Sequence, residues 1–318
     1  MKDKALIIYH REDNDGVLSC ALIENYVREH LEVDIERWGV TYNDLNALWD
    51  SEQMHEKFDQ YQFVYMADVS FNNAHAMLWM QRNLQSRFIW FDHHKPIINA
   101  SFDYGFNSIY GIRNTDQSAL MCVWEHYYDP TLENVPDILQ KLSDWDSWQW
   151  LNKNYNQDEL EALNIGITNL SELKVDWFLQ HIYEFTHKGA DSLLHAQAIP
   201  YGMNILWYNR KRYDHIIENS GDITWTVNGC KACAVFMQEP TGSYVFRKLK
   251  DTDIRHGIVF KHAKNSNWGI SLYNINENEP FDCGAYLKTK YGGGGHKGAA
   301  GCTFTQDQFI EILKNKAI

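Results

Sequence analysis

The chain is short of positive charge. Its 318 residues include 29 lysines and arginines against 42 aspartates and glutamates, which gives a formal net charge of −13 at pH 7. Binding to long duplex DNA or RNA depends on a basic surface that displaces counterions from the phosphates. A short anionic ligand needs only a local basic pocket or bound cations. The composition therefore argues against a processive nuclease and against long duplex nucleic acid as a partner.

Long apolar runs and a regular cysteine pattern are also lacking. No stretch approaches the about 20 apolar residues that span a bilayer, and the apolar run near Met1 is short. The six cysteines are scattered, and Cys230 and Cys233 form the one close pair, without a second CxxC or CxxH motif to complete a zinc site. We therefore expect a soluble cytoplasmic protein with free thiols and no membrane partner.

The order of apolar segments in the first half predicts parallel βαβ units. Strands are expected near residues 5–9, 33–38, 62–67 and 87–91, with helices near 17–30 and 72–85 between them. Further helices are expected near 118–128, 135–145, 158–166 and 172–187, followed by a helical connector over 189–217 that is broken at Pro200.

From residue 222 onward, the pattern changes to strands joined by turns. Asn228-Gly229 predicts a hairpin between strands 223–227 and 232–237. Further strands are expected at 257–260 and 268–273, around a turn at 265–267, and helices at 282–290 and 307–315. The chain is thus predicted to be an α/β protein with three parts: a domain over 1–172 with a mainly parallel sheet flanked by helices, a helical linker over 173–205, and a smaller α/β domain with a mixed sheet over 206–318.

Three of the N-terminal strands run directly into carboxylates and imidazoles. The first strand is followed by His10, Asp13 and Asp15, the third by Asp68, and the fourth by Asp92, His93 and His94. In open α/β sheets, ligand sites form outside the carboxyl ends of the strands. We therefore expect these side chains to converge on one place.

Several carboxylates at close range stay ionised only if a cation neutralises them. Carboxylate and imidazole ligands without a thiolate suit Mn²⁺, Mg²⁺ or Fe²⁺. More carboxylates than one ion needs suggest two ions about 3.5–4 Å apart with a shared ligand. Asp68, alone at its strand end, is the natural bridge, although an isolated aspartate there is more often a helix N-cap.

Other segments offer weaker signals with open alternatives. Gly292–Gly295, followed by His296, cannot form a helix or a good strand, and either binds phosphate through its backbone N–H groups or is a flexible turn. Arg113 precedes a predicted helix and either adds to an anion site there or is a solvated loop residue. The indoles of Trp145, Trp148 and Trp150 either stack on a base or belong to the core.

Five of these elements, taken in order, resemble the DHH phosphoesterases with their associated C-terminal domain. The elements are His10-x-x-Asp13-x-Asp15-Gly16, Asp68, Asp92-His93-His94, Asp144 and the glycine-rich stretch Gly292–Gly301. The resemblance covers the chain from residue 5 to about residue 305. The spacing of the first motif looks closest to bacterial oligoribonucleases (nano-RNases) and related dinucleotide phosphodiesterases.

The resemblance implies a role for each matched residue. It implies two divalent ions, Mn²⁺ with Mg²⁺ or Co²⁺ as alternatives, the first held by His10, Asp13 and Asp68, and the second by Asp15, Asp68, His93 and Asp144. Asp92 would orient an imidazole, His94 would face the substrate phosphate, and Gly293, Gly294, Gly295 and His296 would hold a nucleotide. Asp144 and Asp146 are two residues apart, and the resemblance favours Asp144.

The implied activity is hydrolysis of short oligonucleotides or linear dinucleotides to 5′-mononucleotides, through a hydroxide that bridges the two ions. Alternatives are a phosphatase for pAp, a pyrophosphatase or exopolyphosphatase, and a nucleotide sensor without turnover. Tyr273 stands where the family often carries an arginine, so another cation would have to bind the substrate. The oligomeric state is left open, with a homodimer as one alternative.

Overall fold

The structure is a computed structural model that describes residues 4–49, 53–187, 193–238, 242–263, 267–276 and 279–318. The chain divides into two compact units, residues 1–206 and 207–318, and each is described by itself. None of the described helices has the length and apolar character needed to cross a membrane.

The first unit is built on a parallel sheet of four strands in the order β2-β1-β3-β4. The strands are β1 (Lys4–His10), β2 (Asp34–Val40), β3 (Phe63–Ala67) and β4 (Phe88–Phe91). The predicted strands and their parallel arrangement are confirmed. Since all four run in the same direction, their carboxyl ends lie at one edge of the sheet.

Helices surround this sheet. They are α1 (Asn14–His30), α2 (Tyr42–Trp49), α3 (Gln53–Asp59), α4 (Ala74–Leu84), α5 (Lys95–Tyr104), α6 (Ala119–Tyr127), α7 (Asp137–Asp146), α8 (Gln157–Ser171), α9 (Val175–Gln180), α10 (Ile182–Thr186) and α11 (Leu193–Ser220), with 3₁₀ turns at Gln85–Arg87 and Gln149–Asn152. The sequence analysis did not predict α2, α3 or α5, and the helix expected over 172–187 is two short helices instead.

Both faces of the parallel sheet are buried, as the period of two in a strand requires. In β1, Ala5 and Ile7 pack into one hydrophobic core with α1 and α6, whereas Leu6 and Ile8 pack into a second core with α4. β1, β3 and β4 therefore read as apolar runs that end at polar side chains, whereas the edge strand β2 is only partly buried and carries Glu36 and Arg37 within it.

The long helix α11 differs from its prediction. Pro200 was expected to break the connector, but it lies inside a continuous helix. A proline there lacks one backbone hydrogen bond, and a close crossing with α8 outweighs that local cost. A Cβ added to Gly166 would lie 2.0 Å from the Ala198 carbonyl oxygen, and one added to Gly202 would lie 1.8 Å from that of Ala162. The predicted start of the connector at Gly189 lies outside the described residues.

The second unit contains a six-stranded mixed sheet in the order β5-β6-β7-β8-β10-β9, in which only β6 and β7 pair in parallel. The strands are β5 (Asp222–Val227), β6 (Cys230–Phe236), β7 (His256–His262), β8 (Trp268–Asn274), β9 (Gly294–Gly295) and β10 (Ala299–Phe304). The helices are α12 (Cys283–Tyr291) and α13 (Gln306–Asn315), with a 3₁₀ helix at Ser243–Leu249. The predicted mixed sheet is confirmed.

The sequence predicts two turns in this unit, one at Asn228-Gly229 and one at 265–267. Asn228 and Gly229 have φ values of 49° and 80°, which is the left-handed backbone that a tight hairpin needs, so that prediction is confirmed. The turn predicted at 265–267 lies mostly outside the described residues, since 264–266 are not described.

The glycine run was predicted not to form a strand, and this expectation is wrong at two positions. Gly294 and Gly295 form β9 and pair with β10. The approach to β10 is close, because a Cβ on Gly295 would lie 2.5 Å from the Cα of Ala300. Gly292, with φ of 70°, ends α12.

Replacing Gly202 with alanine tests the crossing of α8 and α11. The added methyl group would force the two backbones apart, which should lower the free energy of unfolding by about 1–3 kcal/mol. Urea unfolding followed by circular dichroism measures the change. Gly298→Ala is the control, because a Cβ at Gly298 meets nothing within 4 Å. Equal unfolding midpoints for the two variants would contradict the crossing.

Candidate metal centre

The carboxyl edge of the parallel sheet brings the predicted side chains together. His10 Nδ1 lies 2.9 Å from Asp13 Oδ2 and 3.5 Å from Asp68 Oδ2. His93 Nε2 lies 3.3 Å from Asp68 Oδ1 and 3.7 Å from Asp15 Oδ2. Residues from three strand ends and from the start of α1 therefore meet around Asp68.

Local structure fixes two of these carboxylates. Asp13 is the N-cap of α1, where its side chain accepts a hydrogen bond of 3.0 Å from Gly16 N. Asp68 has φ of 57°, a left-handed conformation that is rare outside glycine and is typical of strained functional positions. Its backbone N–H donates to Phe91 O at 3.0 Å, which ties it to the end of β4.

Asp15 is held from a different direction. Its two carboxylate oxygens accept hydrogen bonds from the first turn of α6, from Ala119 N at 2.8 Å and Leu120 N at 2.7 Å. The partial positive charge at that helix N-terminus stabilises a buried carboxylate. Each oxygen keeps a second lone pair, so Asp15 can still bind a cation.

The ligand atoms form two main donor groups. One contains His10, Asp13 and Asp68, the other contains Asp15, His93 and Asp146, and within each group the atoms lie within 4.8 Å of one another. Asp68 presents Oδ2 to His10 and Oδ1 to His93, so a single carboxylate faces both groups. A third grouping joins Asp68 and His93 with His94.

Two buried carboxylate oxygens that face His93 support the fit to divalent cations. Among the described residues, Asp68 Oδ1 and Asp146 Oδ2 are buried and have no hydrogen-bond partner. Burying an unpaired carboxylate oxygen is costly unless it is paired or coordinates a metal. Carboxylates and imidazoles without thiolate are the donor set of Mn²⁺ and similar ions. The residues therefore suit the ions that the sequence predicts.

The pKa shifts within the cluster also favour the binding of a cation. Burial raises the pKa of Asp68 well above its ordinary value, and the charges of Asp15 and Asp13 raise it further. Burial and the charge of Asp15 also raise the pKa of Asp146. Burial lowers the pKa of His10, but hydrogen bonds to Asp13 and Asp68 outweigh it and raise that pKa to about 11. Without a cation, the cluster therefore holds protons that a metal ion would displace.

The fourth motif is where the structure departs from the sequence analysis. Asp146 Oδ2 lies 3.2 Å from His93 Nε2, whereas Asp144 faces away and accepts hydrogen bonds from Lys153 Nζ at 2.6 Å and Tyr155 OH at 2.6 Å. Residues two apart in a helix point about 200° apart, so only one of them can face the end of β4. The structure places Asp146 where the sequence analysis expected Asp144.

Asp92 contacts the histidines that follow it. Its Oδ1 accepts hydrogen bonds from the backbone N–H groups of His93 and His94 at 2.7 and 2.9 Å and from His94 Nδ1 at 2.8 Å. Trp90 Nε1 donates to Oδ2 at 3.1 Å. Burial opposes ionisation, but the hydrogen bond from His94 outweighs it and lowers the pKa of Asp92. Asp92 therefore stays charged and orients the His94 ring.

Tyr42 belongs to this site and was missed. Its hydroxyl lies 3.1 Å from His94 Nε2, and its ring centroid lies 5.4 Å from that of His10. The signal was present, because Tyr42 begins the helix that follows β2, at the carboxyl edge that the other three strands share. The strand predicted over 33–38 ends two residues before the observed end of β2 at Val40, and this shorter strand does not point to Tyr42.

Arg113 lies beside the end of β4, and its role in binding an anion stays a prediction. Its guanidinium donates to three backbone carbonyls, those of Trp90 at 3.2 Å, Gly111 at 2.9 Å and Asn107 at 3.0 Å. These bonds use the guanidinium to fix the loop after α5. Gly293, Gly294, Gly295 and His296 belong to the second unit, and their role in substrate binding stays a prediction.

Comparison with solved structures identifies the fold. The chain is similar to the DHH domain of a member of a family of ribosomal proteins, with a TM-score of 0.60 and 12% identity over 99% of this chain and 85% of that one. It is also similar to an exopolyphosphatase-related protein from Bacteroides fragilis, with a TM-score of 0.50 and 11% identity over 99% and 91% of the two chains. A pGpG-specific phosphodiesterase from Vibrio cholerae matches with a TM-score of 0.48 and 16% identity over 99% and 96%.

No protein-family model matches the chain, and no curated protein matches it in sequence. The DHH fold expected from the motifs is nevertheless confirmed by the first of these structures. The closer resemblance to oligoribonucleases stays a prediction.

The roles of the two aspartates in α7 can be separated by metal analysis. Asp146→Asn should lose about one of two bound Mn²⁺ ions, because it removes a charged ligand beside His93. Asp144→Asn is the matched control and should keep both ions, since its amide can still accept from Lys153 and Tyr155. Equilibrium dialysis with elemental analysis gives the stoichiometry. Loss of an ion from Asp144→Asn alone would return the role to that residue.

Manganese binding should weaken as the pH falls. Burial and the charge of Asp15 raise the pKa values of Asp68 and Asp146 in the metal-free protein, so these carboxyls take up protons at a higher pH than ordinary aspartates do. A cation binds only the deprotonated groups, so the apparent Kd for Mn²⁺ should rise from about pH 8 to about pH 6, and binding should release protons. Calorimetry in two buffers of different ionisation enthalpy measures both effects. A pH-independent affinity without proton release would refute this coupling.

Proposed function

We propose that this chain is a DHH-type phosphodiesterase that hydrolyses short oligonucleotides or linear dinucleotides to 5′-mononucleotides, one residue at a time from the 3′ end. The observation that supports it best is the position of Asp68, whose two oxygens face two separate donor groups. Such paired sites, with one shared carboxylate, suit in-line displacement at phosphorus.

The residues that would hold the metals follow from the donor groups. His10, Asp13 and Asp68 would hold one divalent ion, and Asp15, Asp68, His93 and Asp146 would hold the second. When bound, the two ions would lower the pKa of a water molecule and neutralise charge on the phosphoryl oxygens. We take Mn²⁺ as the resident ion, with Mg²⁺ and Co²⁺ as alternatives.

His94 would contribute to phosphate binding through its own charge. Burial lowers its pKa, but the hydrogen bond to Asp92 outweighs that and raises it, which favours the imidazolium. With Nδ1 engaged by Asp92, Nε2 can donate to a phosphate oxygen beside the Tyr42 hydroxyl. Asp92 would act as the residue that positions this imidazole.

Substrate length follows from charge. With a net charge of −13, the chain does not provide the extended basic surface that a long strand requires. A dinucleotide needs only the metals, His94 and a few further contacts, for which we propose Gly293, Gly294, Gly295 and His296. In the expected product, a 5′-mononucleotide, the phosphate is a monoester and has one more ionisable proton than the diester it came from.

A second candidate is hydrolysis of a smaller anion such as pAp, pyrophosphate or polyphosphate. The same two donor groups would serve that reaction, and the exopolyphosphatase-related protein has the same fold. A nucleotide sensor without turnover is the third, non-enzymatic alternative.

Incubation with Mn²⁺ and a substrate panel separates these candidates. Chromatography should show pApA converted to AMP, with kcat/KM falling steeply from two nucleotides to ten or more. Asp68→Asn should reduce the rate by at least the roughly 10–100-fold that results from changes just outside a metal's direct ligands. Asp59→Asn is the matched control, because that side chain is 74% exposed and on α3.

Each other outcome favours a different function. Turnover of pAp or pyrophosphate but not of pApA would favour the second candidate. Equal kcat/KM on a dinucleotide and a twenty-mer would favour a processive exonuclease. Metal binding without turnover of any substrate in the panel would favour the sensor.

A further inference from the structure

Three tryptophans surround the end of α7. The rings of Trp145 and Trp150 stack with centroids 5.8 Å apart and an angle of 20° between their planes, and those of Trp150 and Trp148 lie 6.3 Å apart at 30°. We call these three residues the tryptophan ladder. Its outer member, Trp148, is 44% exposed, so one end of the stack faces solvent.

The ladder is not part of the core. Within the described residues, none of the three indoles packs into the two hydrophobic clusters of the first unit, which removes the interpretation that they only fill space. Trp148 is 44% exposed at the end of the stack, so a planar ligand can reach its ring.

The segment that carries the ladder is fixed from both sides. Lys153 and Tyr155 bind the carboxylate of Asp144 inside α7, at 2.6 Å each. Within the segment itself, the backbone N–H of Leu151 donates to Trp148 O at 3.3 Å, and that of Lys153 donates to Trp150 O at 3.2 Å. Asp144 therefore positions the ladder, although it faces away from the metal centre.

Trp148 itself is held in a conformation that a bulky residue rarely adopts. Its φ is 61°, in the left-handed region, and such strain persists only where the surroundings determine the backbone. This left-handed conformation turns the chain after α7. The next residues therefore fold back, and Trp150 stacks between Trp145 and Trp148. The exposed indole is therefore presented by a defined turn.

The ladder begins next to the metal centre in the sequence. Trp145 immediately precedes Asp146, whose Oδ2 lies 3.2 Å from His93 Nε2. Any diester bound at the metal centre has its nucleosides within a few ångströms of the scissile phosphorus. The stacked indoles start one residue from a proposed metal ligand, and they offer a planar surface to a base of that substrate.

We propose that the tryptophan ladder, through the free face of Trp148, stacks on a nucleobase of the substrate. The inference rests on the proposed function and names the part of the substrate, beyond its phosphate, that this site recognises. Every base has a π-face, so stacking would bind the base with little sequence preference. One indole face is far smaller than the about 800 Å² that each partner contributes to a stable protein interface, which favours a small planar ligand.

The test compares pApA with its analogue that lacks both bases. Base stacking on an aromatic side chain contributes roughly five- to a hundredfold in binding. Trp148→Ala should therefore raise the KM for pApA about tenfold and reduce the preference for pApA over the abasic analogue by a similar factor. Trp148→Phe should recover most of that preference, which a merely structural role would not explain.

Trp207→Ala is the matched control, because Trp207 is 60% exposed and lies on α11. Its preference for pApA should equal that of the unchanged protein. Metal analysis of Trp148→Ala should still give two Mn²⁺ ions, which shows that Asp146 remains in place. An unchanged preference in Trp148→Ala that retains both ions would overturn the proposal.

A binding measurement separates this proposal from the proposed function. AMP should quench tryptophan fluorescence of the Mn²⁺-loaded protein, ribose 5-phosphate should not, and the AMP effect should be lost in Trp148→Ala. If pApA is not hydrolysed but AMP binds in this way, the ladder assignment stands and the proposed activity fails. If pApA is hydrolysed and Trp148→Ala changes neither KM nor quenching, the activity stands and the ladder assignment fails. Self-association that depends on Trp148 would show instead that a second copy covers the indole.

Discussion

Repulsion among buried carboxylates is the constraint on which the site of this protein depends. Asp15 and Asp68 are 2% and 1% exposed, and both face His93 at the carboxyl edge of one sheet. The hydrogen bonds of the cluster do not satisfy all of these oxygens, since Asp68 Oδ1 accepts none among the described residues, although it lies 3.3 Å from His93 Nε2. Such a group is stable as a set of protonated acids or as the ligand set of cations, and the second state is the useful one.

The parallel sheet offsets the free-energy cost of this cluster, because its strands are rigid and packed between helices. Each ligand is then oriented by a separate backbone feature. Asp13 caps α1. Asp15 accepts hydrogen bonds from backbone N–H groups at the N-terminus of α6, and Asp68 is held in a left-handed conformation against β4. These supports lie on regular elements, and sites built on such elements keep their geometry better than sites on loops.

Two aspartates at the end of α7 point in different directions and have different roles. Asp146 turns toward His93, while Asp144 turns toward Lys153 and Tyr155 and holds the following segment in place. In the proposed function, Asp146 at the end of α7 holds a metal ion, and the tryptophan ladder, which continues into the 3₁₀ turn after α7, binds the base. The helix and the turn that follows it would then set the position of the substrate relative to the metals.

The sequence by itself determined the strands of the parallel sheet and most of the side chains that meet at its carboxyl edge, because an apolar run that stops at charged residues is a local signal. The hairpin at Asn228-Gly229 was equally local, since it depends on the backbone preferences of two residues. Tertiary structure decided what depends on direction or on distant partners. The rotation of α7 turned Asp146, and not Asp144, toward His93. The position of β2 brought Tyr42 to His94. The contacts between α8 and α11 kept the helix continuous through Pro200.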